Sequence, residues 1–200
     1  MKHLKLFGAA VAAAMAMLAL WGGGAASATV LCKTSSNPCP EKYLAGTAVN
    51  ASIATGTEVK FVDSGGFTLD ICKKGQLNGK ILSAGSSTET VTLRPEFMSY
   101  ENCVVPLQVA TWGSYELHSI IGTANGTLTV TGQTIYLNMG ECKYVSGTGT
   151  HAGVLTGGSA PTIDYSLQLT KTSGPCIWPS ARLTATYSVT SPTPLYVEPG

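Results

Sequence analysis

Charge is scarce in this sequence: Asp, Glu, Lys and Arg make up 12% of its 200 residues, about half of the roughly 25% usual in globular chains. Histidine is scarcer still. There are three, and only His118 and His151 lie beyond the opening segment. With so few imidazoles and no C-x2-C pair, the ligand spacing of a zinc site is missing, and no metal is expected. A phosphate loop, a dinucleotide fingerprint and a G-x-S-x-G elbow are absent as well. The nearest approach, Gly157-Gly-Ser-Ala-Pro161, lacks the second glycine of the elbow. No cofactor is therefore expected. Helix signals are nearly missing beyond residue 28, and no later run is long and apolar enough to span a bilayer as a helix.

What is present begins with the first 28 residues. Lys2 and Lys5 precede an uncharged run from Leu6 to Leu20, and small residues end in Ala26-Ser27-Ala28. A basic stretch, an apolar run and an A-x-A site form a secretory signal peptide, so residues 1–28 are expected to be removed. The remaining chain, Thr29 to Gly200, carries ten basic against eleven acidic residues, a net charge of −1. That balance excludes a basic nucleic-acid binder and a polybasic membrane binder. The expected location is extracellular or at the cell surface. Lipidation of Cys32 is the minor alternative, because Leu31 stands where a small residue normally precedes a lipidated cysteine.

Six cysteines follow the signal: Cys32, Cys39, Cys72, Cys103, Cys142 and Cys176. An even number in an exported chain implies disulfides, and six allow 15 pairings.

The chain between them reads as strands. Thr, Ser, Gly and Val dominate, with period-2 alternation in Glu89–Leu93, Gly126–Val130 and Ala181–Val189. Further strands are expected at 48–53, 58–62, 67–72, 114–121, 134–139 and 162–169. Roughly ten short strands divided by Gly, Asn, Asp and Ser clusters imply an all-β fold, an antiparallel sandwich or a barrel-like variant.

The sequence also matches itself. At an offset of 70, Gly56-Thr57 meets Gly126-Thr127 and Cys72-Lys73 meets Cys142-Lys143. At 73, Ile81–Ser86 meets Val154–Ser159, and Cys103-Val-Val-Pro106 meets Cys176-Ile-Trp-Pro179. The slip falls in the turn-rich stretch 147–153. We expect an N-terminal segment at 29–54 and two similar halves at 55–123 and 124–200, all within one domain. Equivalent cysteines in equivalent roles give Cys72–Cys103 and Cys142–Cys176, with Cys32–Cys39 closing a small loop. Bonds across the halves, Cys72–Cys142 and Cys103–Cys176, are the symmetric alternative.

Several segments carry a resemblance: Leu31-Cys-Lys-Thr34 with Pro38-Cys39, Tyr43–Thr47, Glu141–Tyr144 with Gly147–Thr150, and Tyr187–Pro192 with Leu195–Val197. Together they resemble a group of secreted, β-rich proteins of actinobacterial type for which no activity is established. The resemblance implies export and β structure, and it carries no catalytic residue.

Residues for chemistry are thinly spread. Ser114 and His118 share a strand face two steps apart, beyond contact. The eleven acids form no close cluster that would suit a glycosidase, and Asp63 reads as a turn residue rather than a calcium ligand. No catalytic residue is expected. Exposed aromatic rings remain, and Trp112, Tyr115 and Tyr144 form the candidate binding platform, with cell-envelope polysaccharide as its partner. The expected function is non-catalytic: binding, adhesion or envelope structure. The alternatives are a secreted hydrolase of glycans or esters and a carrier of an apolar ligand.

Overall fold

The computed structural model describes residues 28–138 and 141–200. The segment read as a signal peptide lies, apart from Ala28, outside the described residues. Among those residues there are fourteen strands and no helix. The chain enters with β1 (Thr29–Cys32), followed by β2 (Ala48–Ile53) and β3 (Val59–Asp63). A long hairpin comes next, β4 (Thr68–Ser83) and β5 (Val91–Cys103). Six shorter strands follow: β6 (Leu107–Thr111), β7 (Ser114–Ser119), β8 (Gly126–Thr131), β9 (Thr134–Leu137), β10 (Cys142–Val145) and β11 (Thr150–Thr156). A second long hairpin, β12 (Thr162–Ser173) and β13 (Ser180–Ser191), precedes β14 (Tyr196–Pro199).

Period-2 alternation decides which side chains go inside. In β12, Ile163, Tyr165, Leu167 and Leu169 are buried while Asp164 and Gln168 face water. In β13, Ala181, Leu183, Ala185, Tyr187 and Val189 are buried. The register sets these two rows opposite each other, Ile163 against Tyr187 and Leu167 against Leu183. A one-residue slip would turn every one of them to solvent. Each fully buried leucine contributes about 1.5–3 kcal/mol, so the register is strongly specified.

Twelve strands form one antiparallel sheet that closes on itself. The circuit runs β13, β3, β4, β5, β7, β8, β11, β12 and back to β13. Of the two expected architectures, sandwich and barrel-like, the pairing forms the barrel-like ring. β1 and β14 pair separately and cover one end, burying Leu31 and Val197. Gly200 N–H donates to Ala28 O at 2.9 Å there.

The ladders come in matching sets. β2 lies between β13 and β4, as β8 lies between β7 and β11. β3 lies between β13 and β4, as β9 lies between β6 and β10. β5 runs beside β4, as β12 runs beside β10 and β11. The expected boundary at residue 54 separates β2 from β3 to β5, yet β2 occupies the place that β8 fills in the other set. The two sets also break differently. β4 is continuous where β10 and β11 are interrupted, and β13 is continuous where β6 and β7 are interrupted. Gly113 makes the second break: its φ is +74°, and a Cβ there would lie 2.5 Å from Thr131 O. Only glycine takes that conformation and that approach without strain.

Three disulfides are formed, Cys32–Cys39, Cys72–Cys103 and Cys142–Cys176. The second joins directly opposed residues of β4 and β5. Cys32 is thus committed to Cys39, and its sulfur is not available for a lipid thioether. Pro106 and Pro179 each sit immediately before a strand, β6 and β13, where a missing N–H is tolerated.

Candidate functional site

The expected aromatic platform does not exist as a surface. Tyr115 is 2% exposed, Tyr144 is fully buried, and Trp112 is half-buried against the core. The strand phase explains Tyr115: residues 115, 117 and 119 of β7 point inward, while 114, 116 and 118 point outward. Tyr144 packs edge-on against Phe61, ring centroids 5.2 Å apart, and its hydroxyl donates to Trp178 O at 3.2 Å. Inward phase and ring packing account for the burial of both tyrosines.

What the ring encloses instead is a polar network. Gln133, fully buried just before β9, accepts at Oε1 from the hydroxyls of Tyr115 (3.0 Å) and Tyr165 (2.6 Å). Those two hydroxyls lie 3.2 Å apart. Gln133 Nε2 donates to Met98 Sδ at 3.1 Å, and the Tyr100 hydroxyl donates to the same sulfur at 3.3 Å. The Tyr187 hydroxyl donates in turn to Tyr100 at 3.3 Å. Gln133 is fixed through its backbone, its N–H donating to Ser146 Oγ and its carbonyl accepting from Ser146 N–H, both at 2.9 Å. Each buried polar group thereby gains a partner, which removes most of its burial cost. Burial pushes the hydroxyl pKa of all four tyrosines up, that of Tyr187 to about 12. All four are neutral at ordinary pH and act as hydrogen-bonding core residues. Gln133 was hidden in the sequence because Gly132-Gln133 reads as a turn.

Next to Tyr115 is an enclosed apolar cavity of about 30 Å³, bordered by Leu31, Leu77, Leu93 and Leu128. That is about one water's share of the liquid, whereas drug-sized ligands need roughly 300–1,000 Å³. The interior is filled by its own side chains.

The acids and histidines are dispersed over the surface. His118 Nε2 lies 3.7 Å from Glu116 Oε2 on the outer face of β7. Ser114 points the same way, two strand steps from His118. His151 is exposed and stands in β11 rather than in a turn. Asp63 Oδ1 accepts from the N–H groups of Gly65 (2.9 Å) and Phe67 (2.8 Å), which makes it a turn residue. Among the described residues two acids are buried, Glu198, which accepts from Ser35 Oγ at 3.3 Å, and Asp70, 2% exposed. Its Oδ1 accepts from Ile71 N–H (2.8 Å) and Val105 N–H (2.9 Å), fastening the β5–β6 connection to β4. Asp70 groups with Cys72 and Cys103, but both sulfurs are spent in a disulfide and cannot ligate a metal as thiolates.

Of the grooves on the outer surface, two lie on the long strands. One, about 460 Å³, runs over β12 and β13 and is lined by Glu58, Lys60, Asp164, Ser166, Thr184 and Thr186. It is hydroxyl-rich, and Thr186 Oγ1 already donates to Asp164 Oδ1 at 3.0 Å. Lys73 pairs with Glu58 beside it and holds that carboxyl below the usual range. The other groove, about 420 Å³, is a slit between β5 and β6 with no charged residue in its lining. Among the described residues these two strands, adjacent in sequence, form no ladder. Ser99 Oγ is buried at this slit without a hydrogen-bond partner.

No protein-family model matches the chain, and no curated protein and no solved structure matches it.

Proposed function

We propose that this chain is exported and works outside the cell as a non-catalytic binding or structural protein, presenting its outer surface rather than its interior. The observation that carries this reading is the filled, stapled ring. A 30 Å³ interior cavity leaves no room for a carried ligand, and three disulfides suit an oxidising compartment. The basic, apolar and small-residue succession of residues 1–28 supports export. Polysaccharide loses the aromatic platform that motivated it, and the two outer grooves take its place as contact surfaces.

The matching ladders support a second part of this reading, namely that the domain arose by internal duplication. In that reading each half lends its last strand to the other, β13 to β2 and β3, and β6–β7 to β8 and β9.

The test is to incubate the purified, oxidised chain with cell-envelope polysaccharide, peptidoglycan and envelope protein. We expect retention on one of these without chemical change, and an N-terminus at Thr29 in material recovered from the culture medium. Hydrolysis of a glycan or ester, lost on His118→Ala, would overturn the reading.

A further inference from the structure

We propose that the slit between β5 and β6 is a strand-addition site for an extended, uncharged polypeptide segment. This deepens the binding reading above and rests on it. Two backbone bonds fix which groups face the slit. Ala54 N–H donates to Thr186 O at 2.8 Å, and Asn138 N–H donates to Pro106 O at 2.9 Å. In an antiparallel ladder, alternate residues turn their backbone groups to opposite sides. By the first bond, Ala51 of β2 and its partner Leu77 of β4 face each other, so Gln76 and Asn78 bond Ser99 and Phe97, and Met98 and Tyr100 of β5 turn N–H and C=O away from β4. Leu107 and Val109 of β6 likewise turn theirs away from β9. Two rows of donors and acceptors therefore border one groove.

The equivalent place in the second hairpin is occupied. β12 and β13 pair without interruption from Thr162–Ser188 to Thr170–Ser180, and Lys171 N–H donates to Pro179 O at 2.9 Å. On the first side, among the described residues, β5 pairs with β7 only at residues 91–93, and β6 has β9 as its one ladder partner. Exposed strand edges are normally blunted by charge or proline. Pro95 and Glu96 precede the slit residues on β5, but the slit's lining, including Tyr100, Leu107, Gln108 and Tyr136, is uncharged. The unpartnered Ser99 hydroxyl adds a side-chain group that a strand backbone can satisfy. A peptide strand meets all of these features, because its main chain supplies the bonds and its alternate side chains rest on Tyr136 and Phe97.

The experiment titrates the isotope-labelled, disulfide-intact chain with an acetylated, amidated copy of residues 184–190 (Thr-Ala-Thr-Tyr-Ser-Val-Thr). This neutral segment comes from β13, which pairs directly with β12 where β6 stands apart from β5. A displayed library of uncharged heptapeptides is screened in parallel. We expect saturable shifts and slowed exchange at the amides of Met98, Tyr100, Leu107 and Val109. Methylating alternate amides of the bound peptide, or Val109→Pro in the chain, should weaken binding at least tenfold. Val109→Pro removes a donor that serves no ladder, and the peptide-side change tests the same bond if that variant folds poorly. Binding unaffected by both changes would overturn strand addition, as would no binding by any peptide. Polysaccharide binding without peptide binding would overturn it while leaving the broader binding reading intact. Retention of no envelope material at all would sink both. Protection of the same amides by self-association alone would assign the slit to a second copy and overturn the peptide assignment.

Discussion

β12 and β13 face each other over nine consecutive residue pairs, whereas β5 keeps three with β7 and none with β6. β5 and β12 are both long, each ends at or just before a disulfide cysteine, Cys103 or Cys176, and each leads into a strand preceded by proline, Pro106 before β6 and Pro179 before β13. The difference traces to a few residues. At the offset of 73, Pro95 stands where β12 has Gln168, and Gly113 stands where β13 has Thr186. Gln168 pairs with Arg182 inside the continuous ladder, while proline has no N–H to give and belongs at edges or bulges. Thr186 is an ordinary strand residue, while Gly113 takes a left-handed turn. Two residues incompatible with a continuous ladder are enough to leave one side of a ring unzipped while the other side closes.

The largest test concerns what holds the open side to the closed one. The hydroxyls of Tyr100, on β5, and Tyr187, on β13, meet across the interior, with Tyr115 and Tyr165 beside them. Burial raises all four pKa values above the roughly 10 of unfolded tyrosine. The folded state thus keeps protons that the unfolded state releases. The stabilisation is complete below about pH 10 and falls as pH rises further. The loss approaches ~1.4 kcal/mol per pH unit for each tyrosine, so Tyr187 alone gives up roughly 2–3 kcal/mol by about pH 12. Urea midpoints against pH, followed by tyrosinate absorbance, should show one steep cooperative collapse above pH 10. Gradual ionisation without unfolding would mean that the network is open to water.

Second in size are the staples. Cys72 and Cys103 are 31 residues apart, Cys142 and Cys176 are 34 apart, and each bond contributes about 3–4 kcal/mol in the chain-entropy model. Replacing either pair with alanine should cost similar global stability. Hydrogen exchange should separate them: without Cys72–Cys103 the amides of β5 and β6 should open first, since no ladder joins those strands. Without the other bond, β12 and β13 should stay protected by their nine pairs. Equal local opening in both variants would erase the distinction between the sides.

Third is Gln133→Leu. The change leaves Tyr115 and Tyr165 with only each other and removes the Nε2 donor from Met98. A cost of about 1–3 kcal/mol is expected from chemical unfolding. A neutral result would show that the glutamine is replaceable by a hydrocarbon of its shape.

These contrasts were unevenly legible in the sequence. The all-β class, the phase of β12 and β13 and the cysteine pairing within halves follow from alternation and self-matching. Local pattern could not show that β4 and β5 run on through 68–83 and 91–103, because Gly75, Gly79 and Pro95 look like ends of strands. Nor could it distinguish an aromatic inside the ring from one outside, so Tyr115 and Tyr144 read as surface. The slit and the Gln133 network depend on which distant strands become neighbours, and a single sequence carries no term for that.

The smallest effect is the most direct probe of why the first side stays open. Pro95 is buried and borders the apolar cavity, so Pro95→Val keeps an apolar side chain there and restores one N–H. Losing proline frees the unfolded chain at a cost of about 0.4–1 kcal/mol. A new backbone hydrogen bond returns about 0.5–1.5 kcal/mol. Net stability should therefore change by less than about 1 kcal/mol, while amide exchange at Met98 and Tyr100 slows toward the rates seen in β12. If proline alone interrupts the ladder, the slit closes and the variant loses any bound peptide strand. If exchange is unchanged and stability simply falls, the turn at Gly113 is what holds β6 away from β5, and the slit survives the loss of its proline.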